Sequence, residues 1–349
     1  MSTPAELGYR MPAKWESHAA TWLAWPHQRS DWPGKFAPIR WVYTEIIRAL
    51  TRHERVNLIV SGPKMRHNAE AKLAKAAVDL AQVRFFEFPT DRSWARDSGP
   101  IFVVNNRGER AVLDWHFNAW AKYPDWTQDD RLPAFVAEQH GMKSWQPRHR
   151  DHRVVLEGGS IDVDGQGLLI TTEECLLSKT QERNPPFVRS DYERVFADYL
   201  GVKKVLWLTR GIAGDDTHGH VDDLARFASP HTIVAVEETD PTDANYEPLQ
   251  ENLERLRGMT DLEGRKFDVV SLPMPAPLVC DGIRLPASYA NFYIANGVVI
   301  VPTFNDPKDR VALGILSDLY SDREVVGIHC VELVWGLGTL HCMTQQEPA

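Results

Sequence analysis

The 349-residue chain contains few cysteines, at positions 175, 280, 330 and 342, and no Cys-x-x-Cys pair. So sparse a set does not form a disulfide framework, and free thiols in a reducing compartment are expected. The sequence also lacks an apolar run long enough to span a membrane, and its N-terminus has no basic start followed by an apolar segment. We therefore expect a cytoplasmic protein with no signal peptide and no membrane partner.

Positive charge is also scarce. The sequence has 39 Lys and Arg against 48 Asp and Glu, a formal net charge of −9. Nucleic acids and anionic membranes require a basic surface, so neither is an expected partner. The acidic balance is compatible with a cationic substrate.

No Gly/Ser-rich or Pro-rich linker divides the chain, although its length alone would suggest two domains. Apolar and β-branched runs that predict strands alternate with segments of helical spacing. The predicted strands are 55–61, 84–88, 100–105, 110–115, 167–172, 204–209, 232–238, 267–273, 296–302 and 323–330, and the predicted helices are 39–53, 65–81, 190–201, 245–258 and 309–322. Strands and helices interleaved from end to end indicate an α/β fold.

Two polar segments interrupt this pattern next to predicted strands. DRSWARDSGP (91–100) combines carboxylates, arginines and a tryptophan, and taken alone it also fits a salt-bridged loop. In LEGGSIDVDG (156–165), Glu157 is followed by two glycines, which allow a ligand or another segment to approach the backbone closely. A tight turn with an exposed Glu157 is the alternative for this segment.

A third polar segment is AGDDTHGHVDDLARF (213–227). If it is extended, Asp216, His218, His220 and Asp222 share one face and could contact the same small ligand. The same residues resemble part of a zinc-binding HxHxDH loop, with Asp223 in place of the final histidine. A zinc hydrolase is therefore a competing hypothesis.

The last polar segment is WGLGTLHCMTQQEPA (335–349), near the end of the chain. If this segment is extended, His341 and Cys342 point to opposite faces, so a base for Cys342 must come from elsewhere, and His220 is the best candidate. A thiol beside an imidazolium or a cationic ligand gains thiolate character. The other three cysteines lie in or beside apolar stretches and are expected to be structural.

These candidates are a cysteine, a histidine and several carboxylates. Carboxylates around one pocket repel each other unless they face a cation. A guanidinium suits such a pocket because its planar donors pair bidentately with carboxylates.

The sequence resembles the agmatine deiminase family, which is grouped with bacterial peptidylarginine deiminases in the guanidino-group-modifying superfamily. The resemblance extends over almost the full length and is carried by motifs in order: MPAKWESHAATWLAWP, WARDSGP, FNAW, LEGGSIDVDG, TTEECLL, RNP, GHVDDLARF and HCMTQQEP. It implies a five-bladed, pseudo-symmetric α/β propeller of ββαβ units around a central active site. It also implies one catalytic domain over residues 1–349 and a homodimer.

The resemblance further implies a role for each matching residue. Cys342 is the expected nucleophile, His220 the general acid/base and Glu157 the acidic partner beside the reacting carbon. Asp97 and Asp222 are expected to clasp the guanidinium, and Trp94 and Trp120 to bind substrate as well. The implied reaction is hydrolysis of agmatine to N-carbamoylputrescine and ammonia through a covalent cysteine thiouronium, with no metal and no cofactor.

The sequence departs from the family pattern in three places. Gly336-Leu337-Gly338 replaces the more common three glycines, AKYP follows FNAW instead of a glycine pair, and SKTQE extends the segment before RNP. The last two changes fall where the far end of the substrate is expected. Peptidyl-arginine and free arginine therefore stay open as substrates, as do an amidinotransferase with the same residue set and a catalytically silent binding protein.

Overall fold

A computed structural model of the protein describes residues 2–349, and this range contains 21 β-strands and nine α-helices, several of them a single turn. The helices are α1 (Phe36–Leu50), α2 (Pro63–Lys75), α3 (Ala95–Ser98), α4 (Leu132–His140), α5 (Glu173–Leu177), α6 (Arg189–Leu200), α7 (Tyr246–Gly258), α8 (Asp309–Leu319) and α9 (Leu340–Met343). The strands are β1 (Tyr9–Arg10), β2 (His18–Ala24), β3 (Val56–Val60), β4 (Val83–Glu87), β5 (Ile101–Asn105), β6 (Arg110–Leu113), β7 (Lys143–Trp145), β8 (Arg148–His149), β9 (His152–Arg153), β10 (Asp162–Val163), β11 (Leu168–Thr172), β12 (Lys204–Leu208), β13 (Ala225–Ser229), β14 (Thr232–Glu237), β15 (Asp268–Pro273), β16 (Val279–Cys280), β17 (Ile283–Arg284), β18 (Tyr293–Ile294), β19 (Val298–Thr303), β20 (Glu324–His329) and β21 (Gln345–Pro348).

The predicted α/β class is confirmed, and each predicted strand and helix has a counterpart. The largest difference between a predicted and an observed boundary is at the end of α2. This helix ends at Lys75 because Ala77 has a left-handed backbone conformation (φ 55°), through which a helix cannot continue. The elements without a predicted counterpart include β2, α4, β13 and β21, and also the short helices α3, α5 and α9 and several strands of two or three residues.

Most strands belong to five sheets of three or four strands. Their orders are β21-β2-β3-β4, β1-β5-β6-β7, β10-β11-β12, β13-β14-β15 and β18-β19-β20. Each sheet contains an antiparallel pair followed by a parallel neighbour, as in β13, β14 and β15. A parallel neighbour requires a crossover connection, and α7 makes the one between β14 and β15. In the other four sheets, the equivalent crossover helices are α1, α4, α6 and α8.

The crossover helices bury an apolar face against these sheets. In α1 the buried residues recur every three or four positions, which is the spacing of one helical face. They are Ile39, Val42, Tyr43, Ile46, Ile47 and Leu50. Among residues 2–349, no helix is both long and apolar enough to cross a membrane.

A short turn precedes the first strand of each antiparallel pair. These five turns are α3 before β5, a 3-10 turn at Gly158–Ser160 before β10, a 3-10 turn at Val221–Asp223 before β13, a turn at 289–290 before β18, and α9 before β21. The five turns therefore occupy equivalent positions in five sheets. Each predicted catalytic residue lies in or directly beside one of them.

The C-terminal strand β21 is fixed by buried polar contacts as well as by its pairing with β2. Glu347 is buried, and its Oε2 accepts hydrogen bonds from Trp22 Nε1 at 2.8 Å and Asn57 Nδ2 at 3.2 Å. Arg110 donates to its Oε1 at 2.8 Å. The tail that carries Cys342 is therefore held by residues from three other strands.

Glu347→Ala removes the acceptor of two buried donors, and we expect it to lower the free energy of unfolding by about 2–4 kcal/mol. Urea unfolding followed by tryptophan fluorescence measures this loss. The matched control is Glu263→Ala, since the Glu263 side chain is 68% exposed; its expected change is below about 0.5 kcal/mol. Equal midpoints for the two variants would contradict the anchoring role of Glu347.

Candidate active site

The predicted site residues meet around one cavity of about 480 Å3. Trp94, Asp97, Trp120 and Cys342 line it directly. His220, Asp222 and Glu157 are buried immediately behind these residues. All seven residues predicted for the site therefore lie at one place. Six of them come from four of the five turns, and Trp120 comes from a separate 3-10 turn at Ala119–Ala121.

Cys342 lies in the helical turn α9, so the extended conformation considered for the tail is absent. Successive side chains of a helical turn point about a third of a turn apart rather than to opposite faces. As a result, Cys342 reaches the pocket while His341 is fully buried behind it, and His341 Nδ1 lies 2.7 Å from Asp222 Oδ2. Asp222 Oδ2 also lies 3.7 Å from Cys342 Sγ.

The 213–227 segment is not extended either. His218 and Gly219 have positive φ values of 65° and 96°, and the chain then forms the 3-10 turn that contains Asp222. The predicted common face is therefore absent. His220 and Asp222 point into the site, whereas Asp216 lies at the pocket rim and His218 contacts Ser178 Oγ at 3.0 Å.

The two ring nitrogens of His220 have different surroundings. Nε2 lies 3.5 Å from Glu157 Oε2, and Nδ1 lies 3.8 Å from Asp97 Oδ1 on the pocket side. Burial lowers the pKa of His220, but Asp97, Cys175 and Glu157 outweigh it and raise this pKa well above the ordinary value. A proton held on Nε2 against Glu157 leaves Nδ1 as the nitrogen that can exchange protons with a ligand.

Glu157 is fully buried and is kept ionised by cationic neighbours. Arg183 Nε donates to Glu157 Oε1 at 3.1 Å, and both side chains have no solvent exposure. Burial raises the pKa of Glu157, but Arg183 and His220 reverse this effect and bring it to about 2. The pair gives His220 a fixed anionic partner.

The glycine pair after Glu157 provides close approach, as predicted. A Cβ atom on Gly159 would lie 2.6 Å from His220 Nδ1, 2.8 Å from Asp97 Oδ1 and 3.1 Å from Asp222 Oδ2. Any larger residue at position 159 would therefore displace the three groups that surround the cavity floor.

Asp97 is oriented by two donors. Trp120 Nε1 donates to its Oδ2 at 2.9 Å, and the backbone N–H of Gly159 donates to its Oδ1 at 3.0 Å. Trp94 closes another side of the pocket, since a Cβ on Gly338 would lie 2.6 Å from the Trp94 ring and 3.2 Å from Cys342 Sγ. Both tryptophans predicted at the site therefore line the cavity, and Trp120 also orients Asp97.

The acidic groups around Cys342 disfavour its thiolate form. Burial raises the pKa of Cys342 well above its ordinary value, and Asp222, Asp223 and Asp97 raise it further. Burial also raises the pKa of Asp222 to about 6. A cation bound among these carboxylates would reverse both effects, because it favours the ionised form of each group.

A zinc site built from the His-x-His-x-Asp residues is not assembled, because His218 points away from His220. The residues of 2–349 that lie close enough to share a metal ion are Glu157, Cys175 and His220, whose ligand atoms are within 4.8 Å of one another. The expectation that Cys175 is only a buried structural residue is therefore incomplete, since it contacts the candidate acid/base.

Sequence reasoning missed several residues of the site. His341 was set aside because the tail was taken as extended, and Arg183 was visible only as the first residue of the RNP motif. Asn291 has no charge and no motif, yet its Nδ2 lies 3.2 Å from Cys342 Sγ. The signal that points to Asn291 is its position next to the turn before β18, which the sequence alone does not reveal.

The outer part of the cavity is lined by charged residues. Arg92 donates to Asp31 Oδ1 at 2.5 Å and to Asp125 Oδ1 at 2.9 Å. Asp216 accepts from Tyr123 at 2.7 Å and forms an ion pair with Lys122, which is part of the AKYP departure. Leu337, another departure, also lines this part and has a left-handed backbone (φ 68°).

Arg96, the second arginine of the DRSWARDSGP segment, points away from the cavity. It is fully buried and donates to Gln345 and Gln346 of β21 and to the carbonyl of His341. Its role is to fasten the turn α3 to the C-terminal segment.

Comparison with known proteins agrees with this geometry. A family model described as "Porphyromonas-type peptidyl-arginine deiminase" matches residues 10–348. The agmatine deiminase of Pseudomonas aeruginosa is 38% identical over 371 aligned positions, which cover 100% of this chain and 98% of that protein. The agmatine deiminase of Ectopseudomonas mendocina is 37% identical with the same coverage.

Solved structures give the same result. The agmatine deiminase of Enterococcus faecalis superposes with a TM-score of 0.92 at 36% identity, covering 100% of this chain and 98% of that one. An amidinotransferase from Microseira wollei, at 13% identity and a TM-score of 0.52, shares the fold alone. On the family match and the full-length relatives, this chain belongs to the Porphyromonas-type peptidyl-arginine deiminase family.

Proposed function

We propose that this protein is an agmatine deiminase, which hydrolyses agmatine to N-carbamoylputrescine and ammonia. The observation that carries the proposal is the buried cavity in which Asp97 and Asp222 flank a thiol and an imidazole. Its support also includes full-length relatives that carry the name agmatine deiminase.

Substrate binding begins with the carboxylates. Asp97 and Asp222 hold the guanidinium bidentately, which fixes its central carbon next to Cys342 Sγ. The bound cation stabilises the thiolate, so the nucleophile forms when substrate is present. Asp222 Oδ2 lies 3.7 Å from Cys342 Sγ, so Asp222 holds the cation beside the sulfur. The thiol proton passes to solvent as the cation binds, and Asp222 stays ionised.

In the first half of the reaction, the sulfur of Cys342 forms a bond to the guanidinium carbon, and the C=N electron pair moves to nitrogen. Protonated His220 gives a proton from Nδ1 to one terminal nitrogen, the C–N bond breaks and ammonia leaves. A covalent thiouronium remains on Cys342. Glu157 stabilises the imidazolium that this step requires.

In the second half, water attacks the thiouronium carbon while His220, now neutral, takes one of its protons. The C–S bond then breaks, its electron pair returns to sulfur, and the added hydroxyl group loses its remaining proton to solvent as the C=O bond of the ureido product forms. The net reaction converts the guanidinium cation and one water into a neutral ureido group, ammonia and a proton. It therefore needs no oxidant or reductant, and the proposed steps use no metal or cofactor.

The outer cavity favours agmatine over free arginine. Arg92 lines the cavity, but Asp31 and Asp125 both neutralise it, so it offers little to an α-carboxylate. The group formed by these three residues carries a net negative charge, which suits the terminal ammonium of agmatine. Asp31 Oδ2 is buried and has no hydrogen-bond partner among the described residues.

We also propose that the five sheets form a five-bladed α/β propeller of ββαβ units. The repeated strand order and the five equivalent turns support it, with β21 and β2 closing the unit that contains both chain ends. A site supplied by several sheets supports a single catalytic domain over residues 1–349. The homodimer and the cytoplasmic location stay predictions.

Cys342→Ser should abolish ammonia release from agmatine, by a factor of about 1,000 or more, because a hydroxyl is a far weaker nucleophile than a thiolate. Mass spectrometry of acid-quenched wild-type enzyme should find the thiouronium adduct on the peptide that contains Cys342. The control is Cys330→Ser, a buried cysteine outside the cavity, which should keep most of the activity. Full turnover by the Cys342 variant would exclude the covalent scheme.

The pH dependence follows from Asp222, which binds the guanidinium only when ionised. Because its pKa is raised to about 6, kcat/KM for agmatine should fall as pH decreases through about 6 instead of near the ordinary value of 3.8. The pKa of Asp31 is also raised to about 6, mainly by burial. The same profile in Asp31→Asn separates the two groups, and disappearance of the acid limb in that variant would contradict the assignment to Asp222.

A substrate comparison tests the preference for an ammonium terminus. Purified protein is incubated separately with agmatine, free arginine and an arginyl peptide, and ureido product is measured. We expect kcat/KM for agmatine to exceed that for arginine by at least about 100-fold, since like charges meet in the arginine complex. Asp31→Asn should narrow this ratio, with Asp79→Asn, a surface helix cap, as the control. Preferred turnover of arginine would overturn the choice of substrate.

A further inference from the structure

The side-chain amide of Asn291 has an orientation that its neighbours determine. Its Oδ1 accepts hydrogen bonds from Thr339 Oγ1 at 2.8 Å, from the His341 N–H at 3.0 Å and from the Cys342 N–H at 3.4 Å. Three donors converge on this atom, so it must be the oxygen. The other end is therefore the nitrogen, a donor only.

That nitrogen faces two acceptors. Nδ2 lies 3.0 Å from Asp223 Oδ1 and 3.2 Å from Cys342 Sγ, and Asn291 has no solvent exposure. An amide nitrogen has two hydrogens. One is held by the Asp223 carboxylate, and the other points at the sulfur.

The position of Asn291 in the fold is equivalent to the positions of the other site residues. The turns before β5, β10, β13 and β21 hold or adjoin Asp97, Glu157, His220 with Asp222, and Cys342. Asn291 follows the remaining turn, at 289–290, and comes two residues before β18. With Asn291 included, each of the five units contributes a side chain to the same site.

The electrostatics of the site require a donor near the sulfur. Burial raises the pKa of Cys342, and three carboxylates raise it further, whereas the hydrogen bond from Asn291 lowers it. A hydrogen bond to an ionised group is stronger than one to a neutral group. The contact at 3.2 Å therefore favours the thiolate over the thiol.

We propose that Asn291 is a catalytic residue that stabilises the thiolate of Cys342 through its Nδ2–H. The same donor acts twice in the proposed cycle, when the thiolate forms before attack and when the sulfur regains its electron pair as the C–S bond breaks. Thr339 and Asp223 fix the amide from its two ends. This inference rests on the proposed function only for its place in the reaction cycle.

The experiment measures thiolate reactivity without substrate. Wild type, Asn291→Ala and Asn291→Asp are treated with iodoacetamide at several pH values, and carbamidomethylation of the peptide containing Cys342 is followed by mass spectrometry. Loss of the donor should slow alkylation at pH 8 by about tenfold in Asn291→Ala, which corresponds to about one pKa unit. Asn291→Asp should be slower still, because it sets a carboxylate against the sulfur.

The sign of the effect separates a catalytic from a structural role. If Asn291 only supports packing, its removal opens the site and Cys342 is alkylated faster. Asn252→Ala is the matched control, since Asn252 is also buried and accepts from Thr209 N at 2.8 Å and Oγ1 at 2.9 Å outside the cavity. It should leave Cys342 alkylation within about twofold of wild type. An unchanged or faster rate in Asn291→Ala would overturn the proposal.

Thr339→Val keeps the experiment decisive if the Asn291 variants do not fold. It removes one of the three donors on Oδ1 and leaves the amide in place, so alkylation should slow by about threefold. A rate equal to or above that of wild type would overturn the proposal. Agmatine turnover by wild type is measured in parallel, so that failure of the substrate assignment is distinguished from failure of the Asn291 assignment.

Discussion

The structure depends on the cost of burying several carboxylates at one point. Asp97, Glu157, Asp222 and Asp223 are all buried around the same cavity, and unpaired charges in such surroundings are strongly destabilising. Buried arginines lie close to them. Arg183 pairs directly with Glu157, Arg226 pairs with the neighbouring Asp162, and Arg96 and Arg226 both lower the pKa of Asp222. These cationic groups offset part of the buried negative charge, and the cationic substrate proposed above would offset more of it.

This balance explains why the fold brings distant segments together. Arg226 of β13 donates to Asp162 of β10 and to the carbonyls of Ala290 and Phe292 before β18, with no solvent exposure. Arg96 does the same between α3 and β21. Arg226 and Arg96 thus connect segments of different sheets next to the residues of the candidate site. The same contacts that offset buried charge also set the relative positions of the site residues.

The sequence predicted the α/β class, because hydrophobic periodicity is a local property. It also predicted, from local motifs, seven site residues that the structure places around one cavity. The prediction failed where the direction of a side chain depends on the local backbone conformation. His341 was assigned to the wrong side because a helical turn replaced the assumed extended tail, and the common face of Asp216 and His218 was lost to residues with positive φ. Asn291 was missed because its contacts with Cys342 and Asp223 are visible only in the three-dimensional structure.

The pairing of β21 with β2 affects how the active site forms during folding. Thr21 pairs with Gln346, so this ladder joins segments that are far apart in the sequence. Contacts between such distant positions form more slowly than local ones. The sulfur of Cys342, just before β21, therefore comes to lie beside the carboxylates and the imidazole only once this long-range pairing is made.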